Sequence, residues 1–339
     1  MTEQMLCARF TEVGILKVGG APRPTVRHDT DVLIRVEAAS VCGSDLKILS
    51  VPPQHPAKQG VIMGHEYVGE VVDAGNEVTT LRTGERVVVE PNISCEKCTY
   101  CRNNLRHMCE NQQTLGETLD GGFAEFNVAS EKQLHKIDRG TEPELAVFVE
   151  PLSCVVGAFE VLRAFPGDIA LVQGAGPIGL LFTLCLKSWG ATVIVAEPSA
   201  FRRRYAVTCG ANSVIDPIAE DLRHQLEDFS ESGVDVVVDT VGSLLAQSLA
   251  VVRRHGRVIL FGVNDQAISN VLQYEITRNS LQVMGTFVGS GVFPRAIRLI
   301  VEGIIDVQRL ISHRMPLREI GSGLQLLRSG EAVKLIIQP

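Results

Sequence analysis

No excess of positive charge runs through this sequence. Its formal net charge of −7 leaves no general basic face for a nucleic acid or an anionic membrane, so neither is expected as a partner. No apolar run reaches membrane-spanning length. The most apolar helical stretch, Ile178–Leu186, stops at Lys187, well short of the roughly 20 residues a span requires. The opening residues, Met-Thr-Glu-Gln-Met-Leu-Cys-Ala-Arg, carry neither the basic stretch nor the apolar core of a secretory leader. Internal repeats and low-complexity segments are absent too. These absences leave a cytoplasmic globular protein, in keeping with 45% apolar and 21% charged residues.

In that compartment nine cysteines are ligands or buried thiols rather than disulfides. Cys7, Cys154, Cys185 and Cys209 lie in apolar or unpatterned surroundings and are expected to pack as small hydrophobes. Cys95, Cys98, Cys101 and Cys109 are patterned. Short loops can wrap the first three around one ion, and the fourth closes a tetrahedral site of the structural-zinc kind. An iron–sulfur cluster is the rival, but the bacterial pattern has three residues before its fourth cysteine and a proline after it. Here seven residues intervene and Glu110 follows. Four thiolates outweigh Zn²⁺ by two charges, which Lys97, Arg102 and Arg106 can offset.

At 339 residues the chain predicts two domains. Up to about residue 150, short strands such as Asp31–Ala39, Tyr67–Ala74, Arg86–Glu90 and Ala124–Val128 are punctuated by turn residues, which predicts an irregular β-rich domain. From Glu150 the rhythm changes. Ile169–Gln173, Thr192–Glu197, Ser213–Ile215, Val234–Asp239, Arg257–Phe261 and Leu281–Gly285 are short apolar runs separated by helix-length segments. Strands apolar on both faces that alternate with helices predict a doubly wound parallel sheet, an α/β fold. The tail predicts helices at Pro294–Glu302 and Arg318–Ser329 and a last strand at Val333–Ile337.

Gly174-Ala-Gly176-Pro177-Ile178-Gly179 follows the first of these strands and opens an apolar helix. Glycines there allow a tight turn and close approach of backbone to a pyrophosphate at a helix N-terminus. Glu197 ends the next strand, 18 residues past Gly179, where an acid that accepts from ribose hydroxyls belongs. A carboxylate there favours NAD and repels a 2′-phosphate. Arg202, Arg203 and Arg204 follow and could welcome that phosphate, so NADP is the less favoured cofactor.

Three further segments carry metal-ligand chemistry: Cys42-Gly-Ser44-Asp45, Gly64-His65-Glu66 and Glu150-Pro-Leu. A thiolate, an imidazole and a carboxylate make a mixed zinc site with one position open. Together with the four-cysteine loop and the glycine-rich turn, in this order through essentially the whole chain, these segments resemble the medium-chain zinc-dependent dehydrogenases. The polyol and threonine dehydrogenase branch is the nearest. The resemblance implies a GroES-like β-rich catalytic domain from residues 1–153 and 290–339 and a Rossmann domain from 154–289. Cys42, His65 and Glu150 resemble the catalytic zinc ligands, with Glu66 adjacent or exchanging, and Cys95, Cys98, Cys101 and Cys109 resemble the structural lobe. Two zinc ions per chain, a dinucleotide on Gly174–Gly179, Glu197 and Arg202, and a homodimer or homotetramer follow from it.

The same resemblance implies that a secondary alcohol binds zinc through its oxygen and loses its proton, which Ser44 relays, while hydride passes to the nicotinamide. Ser44 can also cap a helix expected at Ser44–Leu49. Zn²⁺ with one thiolate, one neutral imidazole and one carboxylate is neutral, and a second carboxylate would weaken its pull on the oxygen. Glu66 and Glu150 are therefore expected to alternate, or one of them to stay off the metal. Relatives often extend the relay through a histidine where this chain has Lys47. Ile48 and Val288-Gly289 stand where sorbitol dehydrogenases carry a Tyr and an Arg-Tyr pair. Polyols, sugars or cyclitols are the expected substrates, with His55 and Glu117 as candidate polar contacts. Alternatives are a threonine-like amino alcohol, a sugar acid, or a non-enzymatic NAD-sensing zinc protein.

Overall fold

A computed structural model of the chain describes residues 3–339. The chain divides into two compact units, one of Met1–Pro151, Phe293–Glu302 and Ile311–Pro339, the other of Leu152–Val292 and Gly303–Leu310. Residues 303–310, expected with the catalytic tail, thus cluster with the dinucleotide unit.

The second unit is built on the six apolar runs. They form one parallel sheet ordered Ser213–Ile215, Thr192–Ala196, Ile169–Gln173, Val234–Asp239, Val252–Leu260 and Gln282–Gly285. The order reverses between the first strand in sequence and the fourth, which is the switch point of a doubly wound fold. Val172, Val195 and Val237 are wholly buried, as strands covered by helices on both faces require. The helix Pro177–Ser188 buries every side from Gly179 to Leu186.

The first unit carries a seven-stranded sheet with the path Ile311–Pro316, Lys334–Gln338, Asp31–Ser40, Glu66–Ala74, Arg86–Val89 and Leu134–Lys136; Phe126–Ser130 pairs with Asp31–Ser40. The tail therefore returns to the N-terminal sheet, and Lys334–Gln338 lies antiparallel beside Asp31–Ser40. A hairpin of Gln4–Glu12 and Ile15–Pro22, not anticipated from the sequence, joins the same core through Ala8 and Phe10, whose N–H groups donate to Phe123 and Val61.

A longer apolar helix than the one holding Ile178–Leu186 is Pro143–Leu162, whose most apolar stretch has mean hydropathy 1.9 and is 67% buried. Its length and composition are those of a membrane span, which a buried core helix also meets. Its burial inside the protein and the acidic residue Glu150 in the first turn of Val149–Leu162 give it a different task.

Candidate active site

Cys42, His65 and Glu66 converge because two neighbouring chain segments meet at one corner of the seven-stranded sheet. Asp31–Ser40 delivers Cys42 two residues past its end, and Glu66 opens the adjoining strand opposite Ser40. A ligand atom from each of Cys42, His65 and Glu66 lies within 4.8 Å of the others. Cys42 caps the helix Gly43–Ile48, and its N–H donates to Asp45 Oδ2 at 2.8 Å. That bond turns Asp45 inward. Its other oxygen stands 3.8 Å from His65 Nδ1, and both atoms are buried without a hydrogen-bond partner. Ser44 Oγ lies 3.5 Å from His65 Nε2.

Glycines allow this corner to close. The Cβ of any residue replacing Gly116 would stand 2.6 Å from the Gly64 carbonyl carbon, and one at Gly121 would stand 2.2 Å from the Gly64 oxygen. The 116–122 loop therefore lies directly on the backbone that carries His65. Asn127 fixes the loop by donating to the carbonyls of Asp120 and Gly121, and it accepts from the buried Tyr67 hydroxyl at 2.8 Å.

The electrostatics are those of a cation site. Burial pushes the Asp45 carboxyl up to about 6, with His65 opposing. Burial also pushes Glu150 up to about 7; Glu66 adds to this, while His65 and Lys334 oppose it. Burial disfavours charge on His65, yet Cys42, Asp45 and Glu150 together hold its pKa well above the ordinary imidazole value. Acids and a thiol set this close raise the proton affinity of their neighbours, as a group of cation ligands does. The donor set, thiol, imidazole and carboxylate, suits zinc. Glu150 lies outside this three-residue cluster although it acts electrostatically on His65.

Two groups escaped sequence reasoning. Ser40 Oγ and Lys334 Nζ both donate to Glu66 Oε2, and Lys334 is 1% exposed. His55 and Glu117, singled out from their loops, do meet. His55 Nε2 is 3.1 Å from Glu117 Oε1. Burial works to raise the Glu117 pKa, but His55 and His65 draw it below the ordinary carboxylate range.

Cys95, Cys98, Cys101 and Cys109 form the second cluster, with their sulfurs within 4.8 Å of one another. Its backbone is shaped to hold thiolates. The N–H groups of Cys95 and Asn111 point to Cys109 Sγ at 3.2 and 3.4 Å, and that of Cys98 to Cys95 Sγ at 3.4 Å. Donation from Lys97 and Cys98 draws Cys95 down to about 6. Glu96 takes φ 57°, the left-handed turn that brings Cys95 and Cys98 round one point. Of the thiols expected to be core fillers, Cys7, Cys185 and Cys209 are buried, whereas Cys154 is only half-buried.

In the second unit Gly174 has φ 95°, and Gly176 precedes a helix whose first residue is Pro177. A Cβ at Gly179 would stand 2.0 Å from the Gly174 oxygen, which locks the turn to the helix, while nothing lies within 4 Å of one at Gly176. Glu197 is buried, and its carboxylate accepts from Ala175 N–H at 2.7 Å and Ser199 N–H at 2.9 Å. Arg203 is engaged with Asp216 at 2.9 Å and with the carbonyls of Glu197 and Pro198. Arg202 Nε is buried without a partner.

Residues 28–139 match the family model of the alcohol dehydrogenase GroES-like domain, and residues 177–302 match that of zinc-binding dehydrogenases. The chain is 32% identical to D-arabinitol dehydrogenase 1 of Uromyces fabae, with 93% of this chain and 92% of that one covered. It is 33% identical to L-threonine 3-dehydrogenase of Caldanaerobacter subterraneus subsp. tengcongensis, with 91% of each covered. Among solved structures, a Sinorhizobium meliloti 1021 protein bound to NADP has a TM-score of 0.94 at 31% identity, covering 99% of this chain and all of that one.

Proposed function

The chain belongs to the zinc-binding alcohol dehydrogenase family and is an oxidoreductase, and from that premise we propose that it oxidises a secondary alcohol of a polyol, sugar or cyclitol with NAD. The convergence of Cys42, His65 and Glu66 within 4.8 Å carries the reading. We assign these three residues to a catalytic zinc, with Glu150 in reserve, and the four-cysteine cluster to a structural one. When bound, zinc supplies Lewis-acid pull on the alcohol oxygen and the dinucleotide accepts the hydride.

The protein's own groups do the rest. Asp45 faces the Nδ1 side of the His65 ring across 3.8 Å. Ser44, at the rim of the cluster, takes the proton from the substrate hydroxyl and passes it outward. His55 and Glu117 offer a donor and an acceptor to a second hydroxyl, which suits a substrate with several. Gly289 supports a substrate other than sorbitol: a Cβ there would stand 2.6 Å from Val292 Cγ2 and 3.1 Å from the Ser153 carbonyl. Glu197 at its strand end and the prior engagement of Arg203 support NAD over NADP. The exposed apolar residues of the dinucleotide unit support a homo-oligomer, and the charge and composition a cytoplasmic setting.

The curated L-threonine 3-dehydrogenase relative supports a second reading, in which the substrate is a threonine-like amino alcohol. A panel of polyols, cyclitols, sugar acids and threonine, followed at the nicotinamide absorbance with each cofactor, separates the two. Turnover confined to threonine-like substrates would replace the polyol reading, and a clear preference for NADP would remove the cofactor assignment. Metal analysis should give two zinc ions per chain, one lost with activity in Cys42→Ser.

A further inference from the structure

Lys334 is the most deeply buried cation among the described residues, and its surroundings explain it. The strands Lys334–Gln338, Asp31–Ser40 and Glu66–Ala74 lie side by side. Ile336 stands opposite Ser40, and Ser40 opposite Glu66. Lys334, two residues before Ile336, shares its face, so its side chain reaches along this row to Glu66 Oε2. The ammonium also approaches the Val41 carbonyl at 3.3 Å and the Phe148 ring at 5.7 Å from the centroid. Glu66 Oε2 takes the Ser40 hydroxyl as well. One carboxylate oxygen is thus committed to two donors, and only Oε1 remains for a metal.

We propose that Lys334 is a positioning residue of the metal centre: with Ser40 it clamps Glu66 to one-oxygen coordination. The proposal rests on the assignment of Cys42, His65 and Glu66 to zinc. Its force is charge balance. A dication with the Cys42 thiolate and two carboxylates carries one surplus negative charge, which weakens its pull on an alcohol oxygen. The Lys334 ammonium, held on Glu66 Oε2, sets a positive charge against that surplus. A charge buried this completely persists only when paired, and the pair here is the carboxylate that touches the metal cluster.

Cobalt exchanged into the protein gives a readout independent of turnover, with the Cys42→Ser spectrum subtracted to remove the four-cysteine lobe. Lys334→Met should free Glu66 to bind through both oxygens, so the visible bands weaken and shift as four-coordinate cobalt gains a ligand. Lys334→Arg should restore them. Turnover should fall about 10–100-fold in the Met variant, the range for groups that orient metal ligands, with dinucleotide affinity unchanged. A Lys334→Met protein with wild-type melting temperature and wild-type cobalt bands overturns the clamp. If that variant does not fold, Glu66→Gln with Lys334→Met removes both charges, and its bands should match those of Glu66→Gln alone. A difference between the two shows Lys334 acting by another route and also overturns the clamp. Identical spectra for wild type and Cys42→Ser would instead overturn the metal-site assignment.

Discussion

Ser44 carries the sharpest test among single residues. Its hydroxyl lies 3.5 Å from His65 Nε2 and its backbone begins a helix already capped by Cys42, so removing the hydroxyl leaves the fold and the donor cluster intact. Ser44→Ala should lower turnover about 100-fold, the usual scale for a lost proton-transfer group, with metal content unchanged in elemental analysis. Near-normal turnover would reject the relay. Thiols give a second test. Burial pushes Cys185 and Cys209 up to about 12, so alkylation at pH 8 followed by mass mapping should leave both unlabelled in the folded protein and label both in denaturant. Modification of either in the native state would contradict its burial. The ligand residues were legible because metal chemistry restricts them to Cys, His and acids at short spacing. Lys334 was not, because one lysine in Ala-Val-Lys-Leu-Ile-Ile reads as the outward position of an alternating strand. Its meaning comes from the register with Ser40 and Glu66, nearly the whole chain away. The available signal was a charge inside a strand apolar on both sides of it.

Elements were legible where both faces of a strand are apolar. Ile169–Gln173, Ser213–Ile215 and Val234–Asp239 have the limits that their Val and Ile runs suggest, because a parallel sheet under helices asks for that composition. The N-terminal hairpin was opaque because Gln4–Glu12 mixes Cys, Ala and Arg with its apolar residues. Its burial depends on pairing with residues near 62 and 123. A similar long-range bond holds the dinucleotide sheet at the Val252–Leu260 strand. Arg257 Nη2 donates to Asp168 Oδ1 at 2.9 Å with the two side chains 7% and 9% exposed, and Arg257 Nη1 donates to the Arg163 carbonyl. Breaking a buried pair from one side strands the other charge. Arg257→Met should therefore cost about 3–5 kcal/mol, read as a lower urea midpoint. Adding Asp168→Asn should recover part of that loss, since the stranded carboxylate is then gone. A single variant within about 0.5 kcal/mol of wild type, the range of ordinary surface changes, would show that the pair is idle.

For the whole molecule, the open question is what covers one edge of the dinucleotide sheet. Ser213–Ile215 ends the sheet on one side with only three residues, but Gln282–Gly285 ends it on the other with its outer backbone unpaired by any described strand. Nearby in sequence, Ile268, Leu272 and Tyr274 are 92%, 64% and 60% exposed. An exposed strand edge with apolar neighbours invites another chain. The simplest partner is a second copy related by a twofold axis, because such an interface needs only one self-complementary patch. Light scattering after gel filtration should then give the mass of a dimer, or of a tetramer if a second patch engages. Ile268→Glu with Tyr274→Glu should shift the protein to monomer while the cofactor still binds, since neither residue belongs to the Gly174–Gly179 turn or the Glu197 strand end. A wild-type protein that stays monomeric at about 100 μM, roughly a hundredfold above the dissociation constant of a micromolar interface, would show that this edge is protected by other means. In that event the apolar residues would need an occupant other than the protein itself.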